Sequence, residues 1–290
     1  MNELQFRCGT RSLTLGTRTL VMGILNLTPD SFSDGGSYTT LEAAVEAGLR
    51  MLRDGADILD IGGESTRPGA DTVTVQEEIN RVLPAIRELR RQTTALISID
   101  TVKAPVAKAA LEAGADIVND VSALERDPDM AEVLRKTQAG CVLMHMRGVP
   151  ATMQKLTQYD NIVADVSREL ARALAQAVSR SGLDETFFML DPGIGFAKKP
   201  LDNPRLIAAT PVFRKLGRPI LIGPSRKRFI GDITGHDDPR NRVWGTAGAV
   251  AACVLNGADV VRVHDVAEMR DAVLVAEAVR KAARTLQPSA

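Results

Sequence analysis

The chain has 290 residues, of which 44% are hydrophobic and 25% charged, and its 36 Lys and Arg residues balance 36 Asp and Glu residues. A formal net charge of zero argues against a basic surface for nucleic acid, although it leaves open a basic cluster inside a pocket. No apolar run reaches the roughly 18 residues of a membrane helix, and the N-terminus lacks a secretory signal pattern. Since Cys8, Cys141 and Cys253 have no paired spacing, we expect a cytoplasmic protein with reduced thiols and no membrane contact.

The first elements set a pattern of strand, loop and helix. Residues 1–18 read as a lead-in, with a small hairpin as one interpretation. The first buried strand spans 20–25, and Asn26 ends it. The loop 27–36 is too rich in turn residues to be regular. A capping box of Thr39 and Glu42 then starts an amphipathic helix that ends near Gly55.

The rest of the chain repeats this pattern. Short apolar runs with β-branched content predict buried strands at 58–61, 95–99, 116–118, 141–144, 187–190, 219–222 and 260–263. Helical patterns lie between them, and one starts at a capping box of Thr74 and Glu77. Six further helices are predicted. Two of them end near residues 114 and 181, three span 127–138, 204–216 and 243–255, and the last begins at 265.

Three helix-to-strand seams are near copies, each reading Gly-Ala-Asp followed by two aliphatic residues. They begin at Gly55, Gly114 and Gly257. Each glycine suits the left-handed position just past a helix end. Strand and helix alternate about eight times over roughly 260 residues, which predicts a closed (β/α)8 barrel as a single domain at 19–287. An open dinucleotide-binding sheet is disfavoured because no Gly-x-Gly-x-x-Gly follows the first strand.

Polar side chains stand at or just past the ends of the predicted strands. They are Asn26, Asp60, Asp100, Asn119, His145, Asp191, Ser225 with Lys227, and Arg262 with His264. In a barrel these positions converge on one rim, where active sites lie. Any one of them can be a helix cap or turn residue, and Asp60 and His145 fit a buried structural role equally well. The whole set predicts a functional rim.

The acidic and amide groups of this set suit a flat heterocycle. Asp100, Asn119 and Asp191 offer oxygens that can accept parallel hydrogen bonds from adjacent N–H donors of a nitrogen-rich ring.

The cationic and hydroxyl groups suit an anion such as phosphate. This second set contains Thr66, Arg67, Lys227, Arg262 and His264. No His or Cys cluster has metal-ligand spacing. A Mg²⁺ ion held mainly by substrate phosphates needs only one or two protein oxygens, and Asn26 could supply one. From the residues alone, the chain reads as a barrel enzyme that handles a polar heterocycle and a phosphate-like group.

At these residues the sequence resembles the dihydropteroate synthase family. The similar segments run in order from about residue 20 to the end of the chain, and they include Asp191-Pro192-Gly193, Ser225-Arg226-Lys227 and Arg262-Val263-His264. The others are 23–36, 62–68, 98–101, 117–120 and 144–148. The resemblance implies a (β/α)8 barrel, usually a homodimer. It also implies condensation of 6-hydroxymethyl-7,8-dihydropterin diphosphate with p-aminobenzoate in folate biosynthesis.

The resemblance also implies roles for the residues of the rim. Asp100, Asn119, Asp191 and Lys227 would hold the pterin ring, with Met144 and Phe196 as apolar walls. Thr66, Arg262 and His264 would bind the diphosphate, and Asn26 would bind Mg²⁺. Loops 27–36 and 63–69, which include Arg67, would form the p-aminobenzoate pocket with Ser225 and Lys227. The residues acting in catalysis would be Thr66, Lys227, Arg262 and His264.

Three other functions compete with this one. A methyltetrahydrofolate methyltransferase shares the pterin-binding Asp and Asn pattern but has no need of a diphosphate site. A non-catalytic pterin-binding paralogue is expected to lose part of loop 27–36 or the Arg262 and His264 pair. A phosphosugar aldolase needs a Schiff-base lysine inside a strand. The chain departs from the family at Ala197-Lys198-Lys199, where Gly-Lys-Thr is frequent, and it has Pro224 at a variable position.

Overall fold

The computed structural model describes residues 3–28, 40–65 and 72–285. An antiparallel hairpin of β1 (Leu4–Cys8) and β2 (Arg11–Leu15) comes first. The strands that follow are β3 (Leu20–Asn26), β4 (Ile58–Gly62), β5 (Leu96–Asp100), β6 (Ile117–Asp120), β7 (Gly140–Met144), β8 (Phe188–Asp191), β9 (Leu221–Ile222) and β10 (Val260–Val263). Within the described residues these eight strands form one parallel sheet in the order β8-β7-β6-β5-β4-β3-β10-β9.

The sheet closes into a barrel where its two edge strands, β8 and β9, meet. A parallel bridge joins Leu190 of β8 to Ile220 just before β9, and the Leu190 amide donates to the Pro219 carbonyl at 2.9 Å. Neighbouring strands are linked by helices on the outside of the barrel, as right-handed crossovers require. The predicted (β/α)8 barrel is confirmed.

The helices surround the strands. They are α1 (Leu41–Arg53), α2 (Val75–Gln92), α3 (Ala104–Glu112), α4 (Met130–Thr137), α5 (Ile162–Ser181), α6 (Asp202–Ala208), α7 (Thr210–Arg214), α8 (Arg228–Thr234), α9 (Val243–Leu255) and α10 (Val266–Thr285). The Thr74 cap of α2 is confirmed, since its hydroxyl accepts from the Glu77 amide at 3.2 Å. None of the helices in the described ranges is long and apolar enough to cross a bilayer.

Two predicted helices differ from the structure, and one helix was not predicted. Helix α1 is capped by Thr40, whose hydroxyl accepts from the Ala43 amide, and Thr39 lies outside the described residues. The helix predicted over 204–216 is broken at Ala209 into α6 and α7, because Pro211 has no N–H for a continuous helix. Helix α8 was not predicted, and it ends at Gly235, which takes the left-handed conformation.

The apolar core consists of two layers. One lies between strands and helices. The other fills the barrel interior at the strand N-termini, where Phe6, Cys8 and Leu15 of the hairpin pack against the first residues of the parallel strands. The apolar layer occupies this end of the barrel, so the polar residues collect at the strand C-termini.

The three Gly-Ala-Asp seams share one hydrogen-bond pattern. Their glycines have positive φ angles between 90° and 114°, as predicted. Each aspartate accepts a backbone N–H near the start of a neighbouring strand and pairs with an arginine. Asp57 accepts from Val21, Asp116 from Ile97 and Asp259 from Ile220, and all three hydrogen bonds are 2.9 Å long. The arginine partners are Arg18, Arg90 and Arg214 respectively.

Removing one of these aspartates should destabilise the barrel. Asp116→Ala leaves the Ile97 N–H without its acceptor and Arg90 without its carboxylate, and we expect a loss of about 2–3 kcal/mol in the free energy of unfolding. Urea denaturation measures it. Asp129→Ala is the matched control, because that exposed side chain makes no capping hydrogen bond. Equal effects of the two substitutions would contradict the assignment.

Candidate active site

The strand register brings the predicted residues to one level of the barrel. Asn26 of β3 is paired with Gly62 of β4, which is paired with Asp100 of β5, and Asp100 is paired with Asn119 of β6. Met144 of β7 is paired in turn with Asp191 of β8. Asp100, Asn119, Met144 and Asp191 are all buried. The strand C-termini therefore converge as the sequence predicted.

The centre of the site is a guanidinium between two carboxylates. Arg262 Nε lies 2.5 Å from Asp60 Oδ2, and its Nη2 lies 2.7 Å from Asp100 Oδ2. Asn119 Nδ2 donates to the same Asp60 oxygen at 3.0 Å. Asp60 is fully buried, and its Oδ1 has no hydrogen-bond partner among the described residues. Asp60, absent from the predicted ligand set, thus orients both Arg262 and Asn119.

Three ionisable groups of the site have shifted pKa values. Burial raises the pKa of Asp100 to about 7, against the lowering effect of Arg262. Burial also raises the pKa of Asp191, which Lys227 opposes. Burial lowers the pKa of Lys227 to about 8, against the opposite effect of Asp191. Such pairs of shifted groups are characteristic of functional sites.

The turn after β8 forms one wall of the site. Asp191 Oδ1 accepts from the Gly193 amide at 2.7 Å, and Gly193 has a φ of 71°. Lys227 Nζ donates to the Ile194 carbonyl and lies 4.6 Å from the centroid of the Phe196 ring. The turn thus presents an aromatic face, a carboxylate and an ammonium to the same space.

Ser225 forms two hydrogen bonds with His264. Ser225 Oγ lies 2.9 Å from His264 Nδ1 and accepts from the His264 backbone N–H at 3.2 Å. The hydroxyl can accept from that amide and donate its own proton to Nδ1 at the same time. The neutral imidazole then carries its proton on Nε2, which is the form that donates to an anion.

The neighbouring turn is held by a further ion pair. Arg226 has a φ of 57° and pairs with Asp265, the residue after His264. Ser225 and Lys227 are thereby fixed to the end of β10, next to Arg262.

The structure offers a sparse set of metal ligands. Among the described residues, no group of three or more His, Cys, Asp or Glu side chains could hold a metal ion. Asn26 Oδ1 and Asp100 Oδ2 lie 3.5 and 3.8 Å from the point where a side chain at Gly62 would begin, so the two oxygens are near each other at the rim. One amide oxygen at this place fits an ion whose other ligands are water and phosphate. Thr66 and Arg67, and most of loops 27–36 and 63–69, lie outside the described residues.

Family comparisons agree with this geometry. The family described as pterin binding enzyme matches residues 22–264. The dihydropteroate synthase of Synechocystis sp. is 47% identical over 264 residues, which cover 91% of each chain. This chain belongs to the dihydropteroate synthases. The family is one of transferases in folate biosynthesis.

Solved structures of dihydropteroate synthases share the fold. The Xanthomonas albilineans enzyme with 4-aminobenzoic acid has a TM-score of 0.88 at 46% identity, covering 96% of this chain and 99% of that one. The same enzyme in complex with 7,8-dihydropteroate has a TM-score of 0.84 at 44% identity, covering 95% and 98%. The aldolase interpretation fails on the structure, because Lys227 follows β9 and caps α8.

The close approach of the β8 turn to β7 is open to test. A side chain at Gly193 would begin 2.0 Å from the His145 carbonyl oxygen, so Gly193→Ala should cost about 3 kcal/mol of unfolding free energy. Gly217→Ala is the control, since Gly217 also has a positive φ but has nothing within 4 Å, and about 1 kcal/mol is expected there. Urea midpoints that fall equally would show that the close contact is unimportant.

Proposed function

We propose that this protein condenses 6-hydroxymethyl-7,8-dihydropterin diphosphate with p-aminobenzoate, releasing 7,8-dihydropteroate and diphosphate. The observation that carries the proposal is the cluster at the strand C-termini, where Asp100, Asn119 and Asp191 are buried, Lys227 is half-buried, and Arg262 contacts Asp60 and Asp100. Family membership supports it, as do solved relatives with 4-aminobenzoic acid and with 7,8-dihydropteroate. We assign the barrel domain to residues 19–287.

In this proposal the pterin ring lies between the acidic groups and the β8 turn. Asp100 and Asp191 accept N–H donors from the ring, and Asn119 and Lys227 complete its polar edge. Met144 and Phe196 contact its faces. Arg262 Nη2 donates to Asp100 Oδ2 in the structure, so the entering ring competes with the guanidinium for this oxygen. The contact of Arg262 with Asp60 stays in place.

The diphosphate is bound at the cationic side of the site. Arg262 and the Nε2–H of His264 donate to its oxygens, together with Thr66. Asn26 would hold Mg²⁺, which when bound supplies positive charge to the departing diphosphate. The bond from the pterin methylene carbon to the diphosphate oxygen breaks, and its electron pair leaves with the diphosphate.

The second substrate closes the reaction. The amine lone pair of p-aminobenzoate forms the new carbon–nitrogen bond, and one amine proton passes to solvent. Ser225, Lys227 and Arg67 form its pocket. We assign no general base, because an arylamine is unprotonated at neutral pH, so positioning and charge stabilisation supply the catalysis.

We also propose a homodimer. Ile233 of α8, Trp244 of α9 and Val275 of α10 are 61%, 82% and 66% exposed. Helix α9 packs against both α8 and α10, and large exposed apolar side chains on neighbouring helices are typical of an interface. Light scattering should report the mass of two chains.

We propose a cytoplasmic location, since Cys8, Cys141 and Cys253 are buried free thiols, and cell fractionation tests it.

The activity itself is the first test. Purified protein given both substrates should form dihydropteroate in a Mg²⁺-dependent manner. Asp191→Ala and Arg262→Ala should each lower kcat/KM by at least about a hundredfold, because each removes a group that contacts the substrate. Circular dichroism checks that the variants fold. Near-normal rates in either folded variant would contradict the assigned roles.

The acidities of Asp100 and Lys227 predict a pH optimum. Asp100 must be ionised to accept from the pterin, so kcat/KM should fall as the pH drops through about 7. Lys227 must be protonated, so kcat/KM should also fall as the pH rises through about 8. Steady-state rates across this range measure both limbs, which report the free enzyme. Asp100→Asn should lose the acid limb, and an unchanged limb in that variant would assign it to the diphosphate instead.

A further inference from the structure

A buried chain of polar contacts lies behind the β8 turn, outside the residues assigned above. Lys198 Nζ lies 3.0 Å from His145 Nδ1, and His145 Nε2 lies 2.8 Å from Glu169 Oε2 on α5. Arg147 Nε also donates to Glu169 Oε2, at 3.1 Å. Lys198 is only 4% exposed and His145 6%. A buried lysine is rare unless it has defined partners, so this placement requires an explanation.

Lys198 holds the turn that carries Phe196. Its Nζ donates to the Phe196 carbonyl at 2.7 Å, and the His145 carbonyl is 3.5 Å away. The same segment is held from outside by Tyr159, whose hydroxyl donates to the Ala197 carbonyl at 3.0 Å. Ala197 has a φ of 49°, a conformation costly for a residue with a side chain. These contacts keep the segment in a conformation that it would otherwise leave.

Two lysines thus contact the carbonyls of one turn from different elements. Lys227 donates to the Ile194 carbonyl, but in the proposed function it must turn to the substrate. Lys198 contacts His145 Nδ1 and the Phe196 carbonyl instead. Neither group is a substrate ligand in the proposed function, so Lys198 can keep these contacts throughout the reaction.

We propose that Lys198 is a positioning residue that fixes the 193–197 turn, and with it Phe196 and Asp191, in the geometry that binds the pterin. His145 and Glu169 orient its ammonium: Glu169 accepts the Nε2–H of His145, which leaves Nδ1 as an acceptor for Lys198. The inference rests on the proposed function and adds a residue to its pterin site.

The protonation states allow this clamp to persist near neutral pH. Burial lowers the pKa of His145 to about 4, so the ring is a neutral acceptor. Burial likewise lowers the pKa of Lys198 to about 7. Asp191 and Glu169 oppose this shift, and Lys227 and Arg147 reinforce it. A neutral amine still has two N–H donors, enough for the two short contacts to His145 Nδ1 and the Phe196 carbonyl.

The test is a comparison of Michaelis constants. Lys198→Met keeps most of the length of the side chain and removes its donors, and we expect KM for the pterin diphosphate to rise about tenfold, the equivalent of about 1.4 kcal/mol. The KM for p-aminobenzoate and the pH midpoints should stay as in the wild type. Lys199→Met is the matched control with no expected change, because Lys199 is the exposed next residue and the hydrogen bond given for its ammonium goes to Gln158, at 3.3 Å.

Tyr159→Phe gives a second measurement if Lys198→Met does not fold. It removes only the hydrogen bond to Ala197, and a rise of about two- to threefold in the same KM is expected. Unchanged pterin KM in both variants, or a lower kcat with both KM values unchanged, would overturn the positioning role. Loss of a pH limb in Lys198→Met would also overturn it, since it would indicate proton transfer. If the wild type makes no dihydropteroate, the proposed function fails instead, and calorimetry of pterin binding still tests Lys198.

Discussion

The buried contact of Arg262 with Asp60 and Asp100 is the interaction on which the site depends. These residues come from β10, β4 and β5, so the guanidinium reaches across the barrel interior past β3. A buried charge is tolerated only when it is paired and hydrogen-bonded. The apolar layer built from the hairpin and the strand N-termini excludes the other end of the barrel for this purpose. Inside the barrel, the polar groups can therefore gather only at the C-terminal rim.

The other polar side chains of the rim also form hydrogen bonds with one another or with the backbone. Ser225 is bonded to His264, Lys227 to the Ile194 carbonyl, and Asp191 to the Gly193 amide. In our account, substrate binding exchanges these internal hydrogen bonds for new ones, and the net gain per bond is modest. Contacts that need no exchange, such as those of Asp60 and Lys198, then matter because they keep the geometry while other partners change.

Much of the barrel was predictable, because its signals are local. Apolar runs marked the strands, and the seams at Gly55, Gly114 and Gly257 marked the helix ends. The rim residues followed from position alone, since strand C-termini converge in any such barrel. The roles of Asp60 and His145 stayed open for the same reason: a residue at a strand end can be a ligand or a support. The Asp60 contact with Arg262 spans 202 residues, and nothing local in the sequence encodes such a pairing. Lys198 was noticed only as part of a departure from the family pattern, and its burial depends on packing against β7 and α5.

The coupling between Asp60 and Arg262 tests the account most directly. Calorimetry of pterin diphosphate binding to the wild type, Asp60→Asn, Arg262→Gln and the double variant forms a double-mutant cycle. If Asp60 acts by holding Arg262, the double variant should bind about as weakly as Arg262→Gln alone, with a coupling energy of at least about 1.5 kcal/mol. Effects that add to within about 0.5 kcal/mol would show that the two residues act independently, and the site would not depend on their contact.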